Sequence, residues 1–275
     1  MSKMYDIEEN LMMLADYNDP EPHKHLASHI IISLGEDMIW NVENEKISCR
    51  GICINSEVVH TGNIPQNGAF VFLFTKISPY GQSVDKVYLN GKKYHVLDEK
   101  IVDEVRRQYI KANTAIESNS NIYNRFKSYS YNNIDVKDDV NINKNMISDK
   151  ILYESLMSIC GLNKNDFCTF DKRVSEILSY IKKQKCIQPS MVDELGRNVF
   201  LSKSRLSHIF KKETGMTLHS FLALEKLKKT SKYINEGMNI TEASIAAGFD
   251  SPSHCAATCK RMFGISLREV YKTIK

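Results

Sequence analysis

The chain of 275 residues is 42% hydrophobic and 25% charged, the balance of an ordinary globular protein long enough for two modest domains, each able to close a core. This excludes collagen-like, mucin-like and wholly disordered chains, and apolar runs such as residues 30–32 and 69–74 fall far short of the roughly 18 residues that cross a bilayer. The net charge of +4 conceals a division: residues 171–275 hold 19 Lys+Arg against 10 Asp+Glu, a net of +9, which leaves 18 against 23, or −5, for residues 1–170. A basic module joined to an acidic one suggests that the C-terminal part meets a polyanion while the rest does something else; a solvated, Lys-rich surface is the plainer alternative.

At the N-terminus, Asp6, Glu8, Glu9, Asp16 and Asp19 lie where a basic leader and apolar block would stand, so a cytoplasmic protein without a membrane partner is expected. Residues 26–97 read as strands at 28–34, 38–42, 46–49, 51–54, 69–75 and 86–89, punctuated by Gly35, Asn44, Asn67-Gly68 and Asn90-Gly91. Many short strands with tight turns favour a small sandwich or jelly-roll barrel. Helical spacing takes over at Ile101, Val105, Tyr109 and Ala112, gives way at 118–145 to a polar stretch in which eight of 28 residues are Asn, and resumes at Ile151, Leu152, Ser155, Leu156 and Ile159. The predicted organisation is α+β: a barrel over 1–97, a helical linker over 98–165 that either pairs with its own copy in a homodimer or packs on the barrel, and an all-α domain over 166–275. Seven cysteines, an odd number without a framework, read as reduced thiols. The pairs Cys49/Cys53 and Cys255/Cys259 suit small packing residues better than metal ligands, with a redox sensor as a further alternative.

From Asp171 onward the pattern is helical. Val174, Ile177, Leu178 and Ile181 make one apolar stripe opposite Lys182, Lys183 and Lys185, and Pro189 stops that helix. Two similar helix-turn-helix units follow. In the first, Val192 and Leu195 mark a short helix, Ser202 caps a second helix running to about Glu213, and Gly215 ends it. In the second, residues 240–247 form the short helix, Gly248 makes the turn, Ser251-Pro252 opens a helix running to about Met262, and Gly264 repeats the role of Gly215. In the first unit Leu206, Ile209 and Phe210 share a face, so Ser204, Arg205, Ser207, His208, Lys211 and Lys212 must point outward. Such a face suits the major groove, Arg and Ser meeting base edges near its start and Lys meeting phosphate farther along; a solvated surface helix is the bland alternative. Residues 217–236 read as one helix capped by Thr217, roughly 30 Å long, against about 34 Å between successive major grooves on one face of DNA.

The stretches LSKSRLSHIFKKETGMTLHSFL and ITEASIAAGFDSPSHCAATCKRMFGISLREVYK resemble the C-terminal DNA-binding domain of AraC/XylS-family transcription regulators, over about residues 170–275. The resemblance implies two units reading adjacent promoter grooves of double-stranded DNA, usually in contact with RNA polymerase as an activator. Base-reading positions of matching relatives fall on Ser204, Ser207 and His208, and in the second unit near Pro252, Ser253, Ala256 and Ala257, with His254 on the same helix and Lys260 and Arg261 on phosphate. This chain departs from the pattern at Cys255 and Cys259, where relatives usually carry aromatics, at Ala257, where they often have a larger polar residue, and at Lys226, where they often have arginine. Alanine cannot donate a hydrogen bond, so the second unit is expected to touch thymine methyls or to grip phosphate.

The segment PHKHLASHIIIS resembles the start of the cupin-like sensor domain of many such regulators. The resemblance implies a small-molecule effector pocket, for which His23, His25, Trp40, His60 and Phe72 are the candidates, or a purely oligomerising barrel. In catalytic cupins an H-x-H, a carboxylate and a later histidine hold a metal; His23, His25 and His60, with Glu57, could supply such a set. Regulator cupins commonly lose the metal, so the expectation is a regulator without metal, cofactor or catalytic residues. The rival is a metal-dependent cupin enzyme with an accessory DNA-binding tail.

Overall fold

The computed structural model describes residues 3–7, 10–15, 21–117, 144–166 and 169–263. Gly264, the closing LREVYK, Cys168 and most of the Asn-rich segment lie outside them. Strands β1 (Lys3–Ile7), β2 (Asn10–Ala15), β3 (Ser28–Ser33), β6 (Gly51–Ile54), β8 (Ala69–Phe74) and β9 (Tyr94–Val96) pair antiparallel in the order β1-β2-β8-β3-β6-β9. A second sheet has the order β5-β4-β7, from β4 (Met38–Val42), β5 (Glu45–Cys49) and β7 (His60–Gly62).

The central strands of the large sheet bury both faces, which is why their sequences read as continuous apolar runs. Along β8, Phe70, Phe72 and Phe74 point to one side while Ala69, Val71 and Leu73 point to the other. Register carries the division across the sheet, with Ile30 opposite Phe72 and Ile31 opposite Val71. Helices α2 (Glu99–Glu117) and α3 (Lys144–Ile159) cover the phenylalanine face through Val102, Val105, Tyr153, Leu156 and Met157. Gly51 permits this approach, since a Cβ there would lie 2.6 Å from Val102 Cγ2. The helical linker thus packs on the sheet.

Residues 86–89, predicted as a strand, are helical. Ser78 accepts a hydrogen bond from the Gly81 amide, Pro79 occupies the first turn of α1 (Pro79–Val84), and the helix continues as a wider π turn through Leu89 to Asn90, whose φ of 41° ends it. Burial of Val84, Tyr88 and Leu89 holds this segment under the helical layer. Strands β1, β2, β7 and β9 were not predicted; β7 and β9 are three residues each, too short for an alternation to show.

The C-terminal helices are α4 (Lys172–Lys183), α5 (Met191–Asn198), α6 (Lys203–Thr214), α7 (Leu218–Asn235), α8 (Ile240–Ala247) and α9 (Pro252–Phe263). Val174, Ile177, Ile181, Leu195, Leu206, Phe210 and Phe221 form the core of the first four. The other face of the large sheet, the small sheet and the second helical unit share one continuous cluster, in which Ile31, Trp40, Ile54 and Val71 join Leu224, Leu227, Phe249, Cys255, Cys259 and Met262. Among the described residues no helix is long and apolar enough to cross a membrane.

Candidate functional site

The first unit is α5, a turn, and α6. Ser202 accepts from the Arg205 amide to start α6, and Gly215, with φ of 73°, ends it as the sequence requires. Lys203 bridges Asp193 at 2.6 Å and pins α6 to α5 across the turn. Leu206 and Phe210 are buried, while Ser204, Arg205, Ser207, His208, Lys211 and Lys212 are all exposed. Among the described residues no ion pair engages Arg205, Lys211 or Lys212, so their charges face outward unspent.

The second unit is α8, a turn at Gly248, and α9. Ser251 accepts from the His254 amide at 3.1 Å, and Pro252 opens the helix. The Ile187 amide donates to the Ala247 carbonyl at 3.2 Å, and the Tyr233 hydroxyl donates to the Lys185 carbonyl at 2.5 Å, tying the α4–α5 connection to the second unit. Ser253, His254, Ala257, Lys260 and Arg261 are exposed and Ala256 is half-buried. His254 lies 3.1 Å from the Asp250 carboxylate, and Lys260 approaches Glu21 at 3.8 Å with both ends open to solvent. Lys226 is turned inward, 5.5 Å over the ring of Phe249. Cys255 and Cys259 are buried, the Cys255 thiol lying 3.9 Å from the Thr230 hydroxyl on α7; burial pushes the Cys255 thiol up, as it does those of Cys49, to about 11, and Cys160, to about 12. These are protonated packing residues.

A histidine cluster occupies the space where the loop after Glu21 meets β3 and β7. Backbone bonds between His23 and His60 set the two residues side by side, and one ligand atom from each of His23, His25 and His60 lies within 4.8 Å of the others. Their Nδ1 atoms bond the carbonyls of Glu21 at 2.7 Å, Met262, and Val58 at 2.8 Å. The Nε2 atoms of His23 and His25 stand 3.0 Å apart. His29, which sequence reading left out of the candidate pocket, completes the cluster with its ring 4.5 Å from that of His60. It is buried, and neither of its ring nitrogens makes a hydrogen bond of standard geometry, the Ala27 carbonyl offsetting its desolvation only in part. Desolvation lowers all four rings, His25 to about 3 and His60 to about 4, so the buried imidazoles are neutral.

Trp40 borders the cluster, its ring 6.2 Å from that of His60; Gly62 makes room for the indole, since a Cβ there would meet it at 2.4 Å. Two expectations fail here. Phe72 lies on the opposite face of the large sheet, stacked toward Phe70 and Phe74 and 6.1 Å from Tyr153, because its register places it with the even-numbered residues. Glu57 is exposed and bridges Lys24 at 3.1 Å, so it brings no carboxylate to the histidines.

Residues 195–273 match the model of a helix-turn-helix domain. The xylose operon regulatory protein of Escherichia coli is 30% identical over 100 residues, which are 36% of this chain and 25% of that protein; the chain thus spans a quarter of the length of this curated relative. Among solved structures, an apo ToxT variant from Vibrio cholerae aligns over 99% of this chain and 100% of its own, with 10% identity and a TM-score of 0.53. A second ToxT structure from Vibrio cholerae aligns over 98% of this chain and 95% of its own, at 8% identity and a TM-score of 0.49. The first of these likenesses extends the shared fold, N-terminal antiparallel sheets with a C-terminal helical domain, over the whole chain.

Proposed function

We propose that this protein is a sequence-specific regulator of transcription that binds double-stranded promoter DNA through α6 and α9, and that it is not an enzyme. The carrying observation is the pair of capped helix-turn-helix units whose second helices expose polar and basic side chains while their apolar residues are spent inside. At 18 residues, α7 is roughly 27 Å long, a rod of the right order to hold two reading helices in successive major grooves. Arg205, His208, Ser204 and Ser207 read bases; Lys211, Lys212, Lys260 and Arg261 hold phosphates. The apolar cluster that runs from the sheets into α7, α8 and α9 supports control of the reading domain by the N-terminal half, through an effector or through self-association. Activation by contact with RNA polymerase completes the proposal.

Genome-wide mapping of bound sites identifies the promoter, and titration of that duplex at several salt concentrations then tests the binding mode. The logarithm of affinity should fall linearly with the logarithm of salt, with a slope near −0.9 per phosphate contacted. Absence of enriched sites, or affinity indifferent to salt, would overturn the reading.

A further inference from the structure

The histidine cluster has a proton conflict that points to a cation. A carbonyl oxygen can only accept, so the three Nδ1 atoms bonded to Glu21, Val58 and Met262 carbonyls must each carry the proton. In a neutral ring the Nε2 atom then presents a bare lone pair. Two such lone pairs, from His23 and His25, face each other at 3.0 Å, where they repel unless a proton or a metal ion lies between them. A proton would make one ring cationic in a place where burial opposes charge.

Nδ1–H bonded to a backbone carbonyl with Nε2 turned inward is also the arrangement that fixes the tautomer of metal-binding histidines. Tetrahedral zinc at about 2.0–2.1 Å from each nitrogen separates neighbouring ligand nitrogens by roughly 3.3 Å, close to the 3.0 Å between the Nε2 atoms of His23 and His25, with a ligand atom of His60 within 4.8 Å of both residues.

We infer that His23, His25 and His60 form a site for a borderline divalent transition ion, zinc or a close neighbour, bound through their Nε2 atoms. The all-imidazole donor set excludes the hard ions magnesium and calcium, which require oxygen ligands. His29 walls the site on its inner side with a polar ring that has no other strong partner. His25 also joins the site to α9, because its Nδ1–H donates to the carbonyl of Met262 near that helix's end. A bound cation polarises the imidazole and strengthens this donor, so occupancy fastens the C-terminal turn of α9 to the barrel.

The test uses the untagged full chain, treated with chelator and titrated with cobalt(II) and then zinc(II). One ion per chain is expected, with the visible absorption of four-coordinate cobalt and its displacement by zinc. His23→Gln, at the half-buried edge of the cluster, should weaken binding at least about a hundredfold, and His60→Asn likewise. Circular dichroism melts establish that each variant folds, and should His60→Asn fail to fold, His23→Gln decides alone. Zinc should also slow amide exchange in residues 259–263 of the native chain and leave it unchanged in a His25→Ala chain. A thiolate charge-transfer band, a stoichiometry unaffected by His23→Gln, or no retained ion after dialysis would each overturn the site. An ion bound without any change in exchange at α9 would overturn the link to that helix.

Discussion

Arg205 and His208 stand exposed on the outer face of α6, within its first two turns, where a helix laid in the major groove brings side chains to base edges. Arg205→Ala and His208→Ala should each cost about 1–3 kcal/mol on the preferred duplex and much less on duplexes mismatched at the base they read. Lys260→Ala should weaken binding to all duplexes alike and lower the salt slope by about 1. Competition titrations against a panel of single-base variants measure this, and equal losses on every duplex from all three substitutions would remove the assigned roles. The outward set in α6 was legible because the helical period fixes it once Leu206 and Phe210 are placed inside. Phe72 was not, because a strand buried on both faces shows no alternation of hydropathy from which to choose a side. The His23–His25–His60 grouping was legible as a motif. That Glu57 points away to Lys24, and that His29 points in, depends on how separate strands meet.

Among the elements, the turn between α8 and α9 is the most tightly specified. Gly248 has φ of 101°, and a Cβ there would lie 2.2 Å from the carbonyl oxygen of Ile187. Gly248→Ala therefore combines a left-handed backbone with a collision against main chain that cannot move aside, and should destabilise the fold by about 3 kcal/mol or more. Gly237 has the same φ with nothing within 4 Å, so Gly237→Ala should cost only about 1 kcal/mol. Chemical denaturation of both variants checks the difference; similar costs would mean that the Ile187 contact is unimportant. Caps and glycines made these helices readable, since Ser202, Thr217 and Ser251 each bond an amide of the turn they start. The 85–89 turn misled because the short run Lys86-Val87-Tyr88-Leu89, only its last two residues buried, fits a strand as well as a wide helix; the Ser78-Pro79 start upstream was the signal that separated them.

For the molecule as a whole, periodicity reveals that a helix has an apolar face but not what covers it. Cys255 and Cys259 read as lost aromatics, whereas they are buried, Cys255 against Thr230 of α7, and belong with Met262 to the apolar cluster that continues into the N-terminal sheets. A fragment of residues 166–275 loses that cover over Leu224, Leu227, Phe249 and Met262. It should melt at a lower temperature than the full chain and bind an apolar fluorescent dye that the full chain excludes. Melting curves and dye titration of the two proteins measure this; a fragment that melts no lower and stays dark would show that the shared cluster contributes nothing to either partner. The same cluster has a consequence for biosynthesis. When a ribosome has released the first hundred residues, every strand of both sheets has been made, yet the side chains that close one face of them, Leu224 to Met262, are still unwritten. Newly made AFVFLF and SHIIIS segments must then wait, partly wet and prone to sticking, for the last stretch of translation to supply their lid.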